Sequence, residues 1–205
     1  MKLPSLTISQ KYRMWVSKIF ALLMLGLVLF SSHSWARDSL LDTLFESSGL
    51  VLIVFCTFGR LWASLYVGGY KNEKVIDLGP YSMVRNPLYF FSFLGTLGLG
   101  LVSENILFLG SATLLFLFYY PFVIFSEEEY LLAKFGDDYA AYMRRTPRFI
   151  PNPRLLREPE FYEVNVKVFK RHTLDATMFI WFYLLFHFIE KLQQMGVLPV
   201  WFRVP

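Results

Sequence analysis

Cysteine occurs once in the 205 residues of this chain and histidine three times. A single cysteine excludes an intrachain disulfide. Cys56 lies in an apolar run where Val54, Phe55, Thr57 and Phe58 offer no base to draw off its proton, so it reads as a small buried or lipid-facing hydrophobe. His33, His172 and His187 are scattered and make no Cys/His metal-ligand spacing. A glycine loop for phosphate, a Ser/His/Asp arrangement, internal repeats and low-complexity tracts are all missing. Charge is scarce as well, at 18% of residues, with a formal net charge of +4. In so apolar a chain that basic excess orders membrane topology and touches anionic lipid, and no nucleic-acid partner is expected.

What the chain has in quantity is apolar surface. It is 55% hydrophobic and 19% aromatic, with 22 Phe, 12 Tyr and 5 Trp. A soluble domain carries an apolar share of roughly 45–50% even with glycine counted. The expected fold is therefore all-α: one polytopic integral membrane domain over 1–205, with about five transmembrane helices and a cytosolic helical segment after the fourth. The first apolar run covers 19–30 and extends back to Met14. It follows a basic start (Lys2, Lys11, Arg13, Lys18) and precedes Ser34-Trp35-Ala36, a small-x-small pattern. An uncleaved helix is preferred to a cleaved signal, because the rest of the chain is itself polytopic. The second run is 49–67, with Arg60 inside it. A charge at that depth costs at least roughly 2.5–3.5 kcal/mol, so Arg60 must face other helices, a cavity or an anion. The third run, 88–102, opens at Pro87 and carries Gly95, Gly98 and Gly100 among small residues that permit close approach of a helix or a ligand. The fourth, 106–125, holds Pro121, which should kink it just before an acidic cluster. The last, 173–189, either spans or lies in the interface, since Asp175 and His187 fall within it; spanning is preferred.

Loop charge orients these runs. Lys and Arg concentrate in the N-terminus, in 68–86 and in 126–172, whereas 31–48 holds only Arg37 and 103–105 none. The positive-inside rule puts the first three on the cytoplasmic side. Both ends of the hairpin formed by the third and fourth runs then meet at one face. One end is Gly79-Pro80-Tyr81 through Arg85-Asn86-Pro87-Leu88-Tyr89; the other is Glu127-Glu128-Glu129, with Arg144, Arg145 and Arg148 downstream. A pocket of both signs at a membrane face suits a zwitterionic or cationic ligand. Carboxylates hold hydroxyls or an amine, Arg holds a carboxylate bidentately, and the faces of Tyr81 and Tyr89 attract a cation.

The combination Gly79-Pro80-Tyr81, Val84-Arg85-Asn86-Pro87-Leu88-Tyr89, Glu127-Glu128, Leu132, Phe135-Gly136, Tyr139, Tyr142 and Pro147-Arg148-Phe149-Ile150-Pro151 resembles the isoprenylcysteine carboxyl methyltransferase and phospholipid methyltransferase family of integral membrane enzymes. The resemblance covers 79–151, the expected methyltransferase core. It implies S-adenosylmethionine as cofactor, bound on the cytosolic side, and a lipid or lipidated acceptor from the bilayer. It also implies Arg85, Asn86 and Glu128 as catalytic residues. Gly79, Pro80, Tyr81, Arg85, Asn86, Pro87, Tyr89, Gly98, Gly100, Glu127 and Glu128 would be cofactor-binding. The setting would be a multi-pass membrane protein of a bacterial-type inner membrane, or of the endoplasmic reticulum in a eukaryote.

Two features leave the acceptor open. Asn86 stands where the carboxyl branch has His, and an amide does not titrate. Asn-Pro-x-Tyr and Gly98-Leu99-Gly100 are closer to the phospholipid N-methyltransferase branch, while the Glu-Glu and Phe-Gly tail is closer to the carboxyl branch. An NADPH-dependent sterol or steroid reductase shares a distant pattern and is the alternative enzyme, although the acidic run disfavours it. A non-enzymatic membrane subunit that keeps the fold is the other alternative.

Overall fold

The computed structural model describes residues 6–33, 39–68, 70 and 73–204, the side chains of 6–14 and of His33 excepted. The Ser34-Trp35-Ala36 pattern lies outside the described residues.

Eight α-helices run among them: α1 Leu6–Phe30, α2 Leu40–Val67, α3 Pro80–Met83, α4 Pro87–Val102, α5 Ile106–Phe118, α6 Tyr120–Phe135, α7 Asp137–Arg145 and α8 Val166–Gln194. Their starts follow local chemistry. Ser39 Oγ accepts from the Asp42 amide at the head of α2. Asn105 Oδ1 accepts from the Leu107 and Phe108 amides, both at 3.1 Å, at the head of α5. Asn165 Oδ1 accepts from Val168 at the head of α8. Each side chain satisfies amides that the first helical turn leaves without partners. Pro87 opens α4 at the position where a missing N–H costs nothing.

Three stretches are long and apolar enough to cross a membrane: Leu40–Val67, Ile106–Phe135 and Val166–Gln194. The apolar part of α1, Trp15–Phe30, and α4 are shorter, at about 24 Å each against a ~30 Å hydrocarbon core. The expected count of five thus divides into three full-length helices and two short apolar ones. The run at 173–189 is the middle of α8.

The fourth run kinks beside Pro121, as expected, and its helix extends ten residues past the expected end at 125. The helix breaks at Tyr119, where Pro121 cannot donate to the preceding turn, and then continues as α6 to Phe135. Glu127, Glu128 and Glu129 are therefore within α6. The fold is all-α, as expected, with one short ladder added to it. Strands β1 (Ser31–His33) and β2 (Phe202–Val204) pair in parallel. The Gln193 amide donates to the carbonyls of Val28, Leu29 and Ser31, and Trp201 stacks on Phe30 at 4.1 Å. This ties the ends of α1 and α8 together.

The spine of the bundle is the contact between α2 and α4. A Cβ on Gly98 would lie 2.7 Å from the Gly49 carbonyl oxygen, and one on Gly49 would lie 2.7 Å from the Gly98 oxygen. Two backbones meet there with no side chain between them. Ile53, Cys56, Leu99, Phe108, Phe179 and Phe186 fill the core beside this crossing. Leu22, Phe55, Phe58, Phe118, Phe122, Trp181 and Phe188 are exposed outward, as lipid-facing side chains are.

Gly98→Val should therefore cost roughly 1–3 kcal/mol or more, because a carbonyl cannot rotate away as a side chain can. Thermal unfolding in detergent should show a clear fall in Tm. Gly110→Ala is the control, since nothing lies within 4 Å of its added carbon, and it should be neutral or stabilising.

Candidate active site

The site begins with a turn that only glycine can make. Gly79 has φ +57° and ψ −136°, and a Cβ there would lie 2.2 Å from the Tyr66 ring. Its amide donates to the Arg157 carbonyl at 2.8 Å. Ser82 Oγ donates to the Gly79 carbonyl at 2.6 Å and accepts from the Arg157 amide at 2.9 Å. The rest of the turn is laced to the segment after α6. The Arg85 amide donates to the Pro147 carbonyl, the Asn152 amide donates to the Met83 carbonyl, and the Tyr142 hydroxyl donates to the Tyr81 carbonyl at 2.7 Å.

At the centre of this lacing is Glu128, with 3% of its side chain exposed. Its Oε1 accepts from Asn86 Nδ2 at 3.0 Å and lies 3.3 Å from Arg85 Nε. Its Oε2 accepts from Arg148 Nε at 2.9 Å. The Arg85 contact is an ion pair without hydrogen-bond alignment, since Arg85 Nε is buried with no hydrogen-bond partner. Asn86 Nδ2 also donates to the Arg148 carbonyl at 3.1 Å. Three tyrosines close the surroundings. Burial raises the pKa of Tyr81, Tyr139 and Tyr142, and the charges of Glu127 at Tyr81 and of Glu128 at Tyr139 raise it further. All three remain neutral donors across the physiological range.

Two cavities flank this knot. The smaller, of about 150 Å³, lies among Tyr81, Asn86, Pro87, Leu88, Tyr89, Glu127, Phe135, Tyr139 and His172. The larger, of about 580 Å³, takes in Lys18, Arg60, Leu88, Tyr89, Ser92, Glu127 and Asp175. They share Leu88, Tyr89 and Glu127. Tyr89 and Tyr120 meet edge to face at 5.6 Å beside the shared wall.

The phospholipid methyltransferase family model matches residues 21–138. This chain belongs to that family. The match runs from α1 into α7, and so includes the Gly79 turn, Asn86, Glu127 and Glu128. The chain is 35% identical to the nickel-cobalt-cadmium resistance protein NccN of Alcaligenes xylosoxydans xylosoxydans, over 87% of this chain and 84% of that protein. It is 32% identical to the cobalt-zinc-cadmium resistance protein CzcN of Cupriavidus metallidurans, over 92% and 86%. No solved structure matches it significantly.

In this phospholipid methyltransferase family member the residues expected from sequence separate into three groups. Tyr81, Asn86, Pro87, Tyr89 and Glu127 line the smaller cavity. Arg85 and Glu128 sit behind its wall and hold it, and Gly79 and Pro80 form the turn that carries Tyr81. Gly98 and Gly100 are elsewhere: Gly98 packs on Gly49 and Ile53 of α2, and Gly100 on Leu109 of α5. The polar lining residues not among those expected include Tyr139, Tyr142 and His172. Tyr139 and Tyr142 carried a signal, the Phe-Gly-x-x-Tyr…Tyr pattern. His172 carried none, because only the return of α8 brings it to the cavity. Among the described residues no group of three or more His, Cys, Asp or Glu is arranged to hold a metal ion.

Glu128→Ala leaves Arg85 buried without its counter-charge, and should lower stability by about 3–5 kcal/mol, read as a fall in Tm in detergent. The buried tyrosines make a second expectation. A phenol whose pKa is raised by folding contributes stability that is fully present below the unfolded value of about 10 and is lost as pH rises through the folded value. Stability should thus decline above about pH 10. Tyrosinate absorbance from these three side chains should appear only with unfolding, and titration of all tyrosines in the folded protein would contradict this.

Proposed function

We propose that the protein transfers a methyl group from S-adenosylmethionine to an acceptor that enters from the lipid bilayer, with the reaction at the cytoplasmic face. The observation that carries this reading is the pair of cavities meeting at Leu88, Tyr89 and Glu127. One cavity lies at the polar end of the hairpin and the other on the flank that α1, α2 and α8 border. A reaction between a water-soluble donor and a lipidic acceptor needs two such spaces with a common wall.

The smaller cavity suits the donor by chemistry. The carboxylate of Glu127 fits ribose hydroxyls or the amine, and the rings of Tyr81, Tyr89 and Phe135 present π faces to a sulfonium cation. Its volume of about 150 Å³ is below the roughly 300–1,000 Å³ of small-molecule sites. Binding must therefore displace flexible lining side chains such as Leu131, Phe135 and His172. The bound cofactor supplies an electrophilic methyl group, whose bond to sulfur breaks with the electron pair left on sulfur. The protein's share is positional. Glu128 fixes Asn86 and, through Arg85 and Arg148, the two chain segments of the wall, so that donor and acceptor meet in line. Near-attack geometry of this kind is worth up to roughly 7–11 kcal/mol of barrier. An anionic acceptor needs no base, whereas an amine must first lose a proton.

The names of the two relatives concern resistance to nickel, cobalt, cadmium and zinc. For this chain we take methylation of a membrane component, rather than ligation of the metal, as the contribution to such a phenotype.

Calorimetry on the purified protein should show S-adenosylhomocysteine binding and no NADPH binding. Glu127→Gln should weaken the former roughly tenfold, without the stability loss expected of Glu128→Ala. Radiolabelled methyl donor added to membranes should label the lipid extract or lipidated peptides. Absence of S-adenosylhomocysteine binding, or binding of NADPH in its place, would remove this assignment.

A further inference from the structure

The larger cavity has walls whose charge needs an explanation. Two cations, Lys18 and Arg60, and two carboxylates, Glu127 and Asp175, line a space between helices that face lipid. Such groups are costly in hydrocarbon unless they meet partners or water. Arg60 lies seven residues before the end of α2, about 10 Å along the axis. The 28 residues of α2 overhang a ~30 Å hydrocarbon core by about 6 Å at each end, which leaves Arg60 about one turn of helix from the head-group boundary.

The guanidinium of Arg60 is held but not neutralised. Nη1 donates to Ser92 Oγ, and Ser92 Oγ in turn donates to the Leu88 carbonyl at 2.6 Å. Nη2 reaches the backbone carbonyl of Asp175 at 3.5 Å. The Phe179 ring lies 5.7 Å from its carbon centre. Among the described residues no carboxylate pairs with Arg60, and its Nε is buried without a hydrogen-bond partner. A planar cation fixed by neutral oxygens, within a turn of the head-group boundary, is arranged for an anion that arrives from outside. Lys18 on α1 adds a second positive charge to the same space. Glu127 and Asp175 keep the cavity from being a general anion trap and favour a head group carrying a cation beside its anion.

We propose that this cavity seats the methyl acceptor and that Arg60 is its specificity-determining residue. Arg60 binds an anionic oxygen group, phosphate or carboxylate, of an amphiphile whose accepting atom then lies at the shared wall of Tyr89 and Glu127. The acyl or prenyl part leaves the cavity along the exposed apolar flanks of the helices. The proposal rests on the methyl-transfer reading, and names the feature of the acceptor that this chain recognises.

The test is native mass spectrometry of the purified, delipidated protein. It is titrated with phosphatidylethanolamine, phosphatidic acid, diacylglycerol of matched chains, and a carboxylate amphiphile, with inorganic phosphate as competitor. The two phospholipids or the carboxylate amphiphile should be retained over diacylglycerol, and Arg60→Gln should reduce that preference roughly tenfold or more. Arg60→Lys, which keeps the charge and loses the fork, should fall between. Retained S-adenosylhomocysteine affinity reports that each variant is folded. Ser92→Ala, which frees the guanidinium from its tether, gives a second reading in the same direction if Arg60→Gln fails to fold. Equal retention by wild type and the Arg60 variants, with cofactor binding intact, overturns this proposal alone. Displacement of lipid by millimolar-range phosphate would make the site one for free anions and overturn it as well. Lipid retention without any cofactor binding would overturn both this proposal and the methyl-transfer reading.

Discussion

One buried carboxylate holds the two ends of the α4–α6 hairpin together. Glu128 binds Asn86, pairs with Arg85 and binds Arg148, so two separate stretches of chain converge on the two oxygens of a third. Burying an acid there is worthwhile only because every contact is charge-assisted or closely paired; an unpartnered carboxylate at the same depth would cost several kcal/mol. The constraint explains the rest of the local architecture. The Gly79 turn must be tight enough to bring α4 in beside α6, and Tyr142 and Arg157 tie that turn down. Glu127, one residue before the clamp on the same helix, is then turned toward the cavities.

That division of labour between neighbouring acids gives the site its form. Successive residues on an α-helix point about 100° apart, so two adjacent carboxylates cannot serve one cavity equally. One builds the wall and the other faces the ligand space. Leu88 and Tyr89 follow the same logic from α4. They are held by the turn at Asn86 and Pro87, and both contact the two cavities. A donor from water and an acceptor from lipid would meet across these side chains.

Much of this was legible in the sequence. The hairpin pattern brought its two polar ends together, and the Asn86–Glu128 contact is the structural form of that statement. Pro87 marks a helix start where it is found, and Pro121 marks the break. The exchange of roles between Glu127 and Glu128 was not legible, because helical phase relative to a neighbour depends on where Tyr119 resets the helix. Gly98 and Gly100 were misleading for a related reason. A small residue signals close approach but not what approaches, and here it is α2 and α5. His172 and Asp175 lay hidden because α8 returns to the site from more than eighty residues beyond the Gly79 turn. The β1–β2 ladder is three residues long on each side, too short for alternation to show.

The central claim is that both ends of the hairpin form one cofactor site whose wall is fixed by Glu128 and whose ligand-facing acid is Glu127. A structure of the protein bound to S-adenosylhomocysteine tests it most directly. The ligand should lie against Tyr89, Tyr81 and Glu127, with Phe135 or Leu131 displaced, while Glu128 keeps Arg85, Asn86 and Arg148. A ligand seated elsewhere, or held by Glu128 after that knot has opened, would contradict the account.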